Sequence, residues 1–91
     1  MLHIVKSLDK LTLVLDLLID GDELILTENS VYAALPNHDY FSRMQSINSV
    51  SVLEADVQSR GLQNLVANSI TQVDFETFVD LTIYNVKSIT W

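Results

Sequence analysis

The chain of 91 residues contains no cysteine. Disulfides, thiolate metal sites, cysteine nucleophiles and persulfide carriage on this chain are therefore excluded, because each needs that sulfur. Glycine is nearly as scarce, with only Gly21 and Gly61 present. A dinucleotide fingerprint or a P-loop needs glycines where the backbone closes on phosphate oxygens, and neither pattern occurs. Cations are few: 5 Lys and Arg stand against 12 Asp and Glu, for a net charge of −7. Nucleic-acid binding draws on clustered cations that displace counterions, so no direct nucleic-acid contact is expected. No apolar run approaches the length of a membrane span. The opening MLHIVKSLDK reaches Lys6, Asp9 and Lys10 too early for a signal peptide. These absences predict a soluble, cytoplasmic protein that does not touch a membrane.

What is abundant is apolar surface. Hydrophobic residues make up 48% of the chain, and the mean hydropathy is +0.26. A single domain spanning 1–91 has little interior in which to hide that much, which points to a partner.

Periodicity supplies the fold class. Leu2–Val5 reads as a buried strand, and LDKLTLVLDLLIDG as a helix with Gly21 as its C-terminal stop. Its apolar arc, about 200° wide, is centred near Leu11, Val14 and Leu18. Leu13 and Leu17 sit at the margin of that arc. Glu23–Leu26 reads as a second strand and NSVYAAL as a short helix halted by Pro36. HDYFSRMQSIN is a further helical candidate, and SVSVLEA a valine-rich third strand. DVQSRG reads as helical turns closed by Gly61, and LQNLVANS as their extension. ITQV reads as a fourth strand, followed by a helix over FETFVDLTIY capped by Asp74, with Phe75, Phe78, Val79 and Thr82 along one side. KSITW reads as a fifth strand. The alternation predicts an α/β fold, a small doubly wound, mostly parallel sheet of four or five strands with helices on both faces.

Side chains able to do chemistry are sparse. Neither His3 nor His38 has a second ligand at metal spacing. His3 is expected as a packed, hydrogen-bonded imidazole in its strand, and His38 as a loop residue. Serines are plentiful, but none lies in a nucleophile elbow. Asp20, Asp22 and Glu23 around Gly21 read as a solvated charged loop. Glu28 follows a strand and precedes a helix, where a carboxylate favours the positive helix end; it reads either as a capping acid or as a contact at the sheet edge. Arg60 either bridges to a local acid or reaches across an interface. Leu13, Leu17, Glu28, Tyr32 and Arg60 are the candidate partner-interface residues. No catalytic, cofactor or metal residue is expected.

Four segments in order, MLHIVKS, GDELILTENSVYAAL, LEADVQSRGL and VDFETFVDLTIYNVKSITW with its terminal Trp91, resemble the TusB/DsrH family of sulfur-relay proteins over nearly the whole chain. The resemblance implies a subunit of a heterohexamer built from two copies each of three homologous small α/β chains. Its partners are then the C and D types, the latter carrying the sulfur-accepting cysteine. In the tRNA branch such a complex passes persulfide sulfur toward 2-thiolation of the wobble uridine. In the sulfur-oxidising branch a related complex serves dissimilatory metabolism. Relatives in that second branch tend to carry a cysteine in the first helix, where Val14 aligns here, which favours the tRNA branch. Relatives often read acid-Asp-Gly after the second strand, whereas this chain reads Glu28-Asn29-Ser30, so any tight turn must be reached differently. From the residues alone, a free-standing adaptor or a ligand-binding α/β domain remains open beside the sulfur-relay subunit.

Overall fold

The computed structural model describes residues 1–47 and 49–91. Five strands, β1 (Leu2–Val5), β2 (Glu23–Leu26), β3 (Val50–Leu53), β4 (Thr71–Val73) and β5 (Ser88–Thr90), form one sheet in the order β4-β3-β2-β1-β5. All four pairings are parallel. Between them lie α1 (Leu8–Leu17), a 3-10 helix (Glu28–Ala34), α2 (Phe41–Met44), α3 (Glu54–Ser59) and α4 (Phe75–Tyr84). Three successive connections step in one direction from β1, and the last returns to its other side. This is the doubly wound sheet that the alternation predicts.

The two faces of the sheet are covered unequally. Val5, Leu24, Leu26 and Val52 point to one face and pack with Leu11 and Val14 of α1, Val31 of the 3-10 helix, Met44 of α2 and Val57 of α3. Leu2, Ile4, Ile25 and Val73 point to the other, where Phe78 and Leu81 of α4 cover them. The alternation of side chains along each strand enforces this split. Several helical segments seal the first face. Among the described residues, α4 is the only helix on the second, and no residue of α4 is buried.

Several sequence expectations need correction. The first helix stops at Leu17, because the Ile19 N–H bonds to the Asp22 carboxylate at 3.2 Å instead of continuing the helical ladder. Gly21 is not its cap; it takes φ +91° in the turn leading to β2. The NSVYAAL helix begins one residue earlier, at Glu28, and is 3-10 rather than α. Only Phe41–Met44 of the expected 38–48 helix is helical among the described residues; Asn48 lies outside them. The third strand ends at Leu53, since Glu54 and Asp56 bring acid to the first turn of α3, where a helix N-terminus favours it. LQNLVANS does not extend α3. It runs as turns held by bonds such as Ala67 N–H to the Ala34 carbonyl at 3.1 Å, and still buries Leu62 and Val66.

Candidate functional site

In a parallel α/β sheet the natural site is the crevice beyond the carboxyl ends of the strands. Here it is a shallow cleft of about 390 Å³ lined by Lys6, Ser7, Leu8, Asp9, Glu28, Asn29 and Arg60. Ser30, the residue after Asn29, is fully buried. The Ser30 hydroxyl donates to the Val5 carbonyl at 2.6 Å and accepts the Thr27 N–H at 3.0 Å, tying the start of the 3-10 helix to the end of β1. The left-handed residue of this turn is Glu28 itself, at φ +51°. The chain thus makes its tight turn on a glutamate, and uses the third position of Glu28-Asn29-Ser30 for a buried hydroxyl.

Glu28 and Arg60, both expected at an interface, come together in this cleft, but neither does what a reactive group must. The Glu28 side chain is exposed and caps nothing; its backbone N–H donates to Asp56 Oδ2 at 2.7 Å. The acid does stand in the first turn of the 3-10 helix, as expected, but among the described residues its carboxylate makes no capping hydrogen bond. Arg60 is engaged within the chain. Its Nε and Nη2 donate to Asn29 Oδ1 at 3.2 and 3.0 Å, and its Nη1 donates to the Asp56 carbonyl at 3.1 Å. The Asp56 carboxylate lies 3.9 Å from Nη1. These bonds pin α3 to the 3-10 helix and hold the Arg60 guanidinium within the chain.

Tyr32, 36% exposed, stands on the 3-10 helix, and Leu13 and Leu17 lie on α1 at 46% and 49% exposure. Leu11 and Val14 are fully buried, so the apolar centre of α1 faces the sheet and its margin is open. Val14, where the resemblance aligns a cysteine of sulfur-oxidising relatives, is enclosed in the core. On α4 the expected packing side is corrected. Phe78 and Leu81 face the sheet, whereas Phe75 is 66% exposed and Val79 37%.

Sequence reasoning missed one buried polar cluster. Asp22, read as part of a solvated loop, has a side chain only 8% exposed. Its Oδ1 accepts from the N-terminal ammonium of Met1 at 3.2 Å, and its Oδ2 lies 3.1 Å from His3 Nε2. Trp91 Nε1–H, which can only donate, reaches His3 Nδ1 at 3.2 Å. Nδ1 must therefore accept, and the imidazole is the neutral tautomer that donates from Nε2 to Asp22. Burial alone pushes the Asp22 carboxyl up. The Ile19 N–H bond, and then the contacts with His3 and the ammonium, more than reverse this and hold it below its ordinary value. A larger cavity of about 580 Å³ opens beside this cluster, at the amino ends of the strands, between α1 and α2. Asp20, Asp22, Glu23 and Arg43 are on its wall, and Arg43 is already paired with Asp16 at 2.6 Å.

Fold and site together define a small doubly wound α/β domain whose helices carry open apolar margins. A family model described as DsrH like protein matches residues 6–88. The chain is 32% identical to Protein TusB of Escherichia fergusonii over 91 residues, covering 99% of this chain and 96% of that protein. It is 32% identical to Protein TusB of Pectobacterium parmentieri over 73 residues, covering 79% and 77%. Among solved structures, the ychN protein from E. coli superposes with a TM-score of 0.77 at 17% identity, covering 99% of this chain and 97% of that one. A protein of unknown function from Methanobacterium thermoautotrophicum gives a TM-score of 0.75 at 9% identity; both share the fold. The chain belongs to the DsrH-like family that includes the TusB proteins.

Proposed function

We propose that this chain is a non-catalytic, cytoplasmic subunit of a heterohexameric sulfur-relay complex that passes persulfide sulfur toward 2-thiolation of the tRNA wobble uridine. The observation that carries this reading is full-length similarity to TusB proteins in a chain with no cysteine. Relay proceeds by attack of a thiolate on a sulfane sulfur, and this chain has no thiolate to offer. Its place is then to hold homologous C- and D-type chains, the D type accepting the sulfur. The open margin of α1 at Leu13 and Leu17, together with Tyr32 and the Glu28–Arg60 edge, forms the interface proposed from the sequence. Its net charge of −7 leaves any tRNA contact to another chain.

The test is transfer of labelled sulfur from a cysteine desulfurase to the complex co-purified from cells expressing all three chains. Reductant-sensitive label is expected on a sister chain and none on this one. Label on this chain that survives denaturation and leaves with reductant refutes the non-catalytic assignment. A chain that co-purifies with neither sister refutes the subunit reading.

A further inference from the structure

The helix that covers the second face of the sheet is poorly covered itself. Six of its ten side chains are apolar or aromatic, namely Phe75, Phe78, Val79, Leu81, Ile83 and Tyr84, yet none is buried. Phe78 and Leu81 rest on the sheet. Phe75, Val79 and Ile83 follow one another at intervals of four, which aligns them along one side of the helix. They are 66%, 37% and 72% exposed, and Val86 just beyond the helix is 98% exposed. Taking about 200 Å² for an aromatic side chain and somewhat less for an aliphatic one, these residues leave on the order of 400 Å² of apolar surface open. A standard interface covers about 800 Å² on each partner. The strip is therefore large enough to be the apolar centre of one, with a polar rim supplying the rest.

Along α4 itself that rim is acidic, and the exposed Lys87 follows Val86 only beyond the helix end. Glu76 and Asp80 run beside the strip, Asp74 stands at its head, and the last turn of α4 carries no basic residue. A second copy of this chain docked strip to strip would set these carboxylates against their own kind, with −7 on each partner. Anionic lipid meets the same repulsion. We propose that the α4 strip is a docking surface for a different polypeptide, one that brings an apolar strip edged by Lys or Arg. This rests on the subunit reading and adds to it. The Leu13–Leu17 margin lies on the opposite layer, so the chain has two separate contact faces and bridges two neighbours, one of them held by α4.

The test uses the complex co-expressed with both sister chains. Ile83→Asp and Phe75→Asp alter positions more than half exposed, so circular dichroism and the urea midpoint of the isolated variants should match the parent. Association with a sister chain should weaken roughly a hundredfold or more, since a carboxylate forced into an apolar contact has no partner. Reversal of the rim by Glu76→Lys with Asp80→Lys should weaken it further and invert its dependence on salt. A variant that assembles as well as the parent overturns the α4 assignment while leaving the subunit reading intact. A parent chain that joins neither sister removes both. Unfolding of the isolated Ile83→Asp chain makes α4 a core element, and a parent homodimer lost on Ile83→Asp makes a second copy the occupant; either result overturns the proposal.

Discussion

Asp22→Ala removes the hub of the buried cluster at the amino end of β2. The substitution strips a carboxylate, with a side chain 8% exposed, from the N-terminal ammonium, His3 Nε2–H and the Ile19 N–H. Hydrogen bonds to charged groups contribute about 1.5–3 kcal/mol, and a buried donor left unpaired costs about 1–3 kcal/mol. The His3 side chain is 5% exposed and cannot turn to water, whereas Ile19 and Met1 are exposed and can. The expected loss is therefore about 2–4 kcal/mol, below the simple sum of three contacts. A domain of this size holds only about 5–14 kcal/mol in all, and at a urea slope of about 1–2 kcal/mol/M the midpoint should fall by about 1–4 M. Asp20→Ala, two residues away and exposed, should stay within about 0.5 kcal/mol of the parent. The pH dependence follows from the lowered carboxyl of Asp22. A depressed folded-state pKa contributes stability that is present above the unfolded value and lost as pH falls through the folded one. The gap between the parent and Asp22→Asn should therefore be full near neutrality and shrink below about pH 4. A gap independent of pH, or an Asp22→Ala loss no larger than that of Asp20→Ala, would refute the hub.

Leu13→Asp and Leu17→Asp should each leave a folded monomer by circular dichroism, since both positions are about half exposed at 46% and 49%, and should abolish assembly with co-expressed sister chains. Unfolding of the monomer, or an intact form of the proposed complex, rejects the α1 margin as an interface. Glu28→Gly should raise stability by up to about 1 kcal/mol in urea denaturation, because relief of a left-handed backbone at φ +51° outweighs the extra freedom of the unfolded chain. A loss of more than about 0.5 kcal/mol shows instead that the glutamate side chain contributes to the turn.

Much of the fold was legible because it rests on local patterning. Three apolar residues in each four-residue strand, followed by polar ones, mark β1 and β2, and the width of the α1 apolar arc anticipated the exposure of Leu13 and Leu17. The same arithmetic applied to α4 exposes Phe75, Val79 and Ile83; treating Phe75, Phe78 and Val79 as a single packed side concealed it. Boundaries failed where a residue outside the helix competed for its backbone, as Asp22 does for the Ile19 N–H. That the tight turn after β2 must be made without glycine was legible, but not that Glu28 makes it, because side-chain type at a strand end does not reveal which residue adopts positive φ.

Composition alone excluded thiol chemistry and glycine-cradled phosphates, since an absent atom cannot be restored by folding. Periodicity then determined the α/β class, because burying one face of each element requires its apolar residues to recur at the period of that element. Only the tertiary structure decided which polar groups are buried and which apolar ones are not. His3 and Trp91, 88 positions apart, meet because β5 pairs with β1. That pairing, together with Asp22, turns a lone histidine and a loop acid into one hydrogen-bonded cluster. The exposed strip of α4 is likewise set by the topology, which, among the described residues, places several helical segments on one face of the sheet and a single helix on the other.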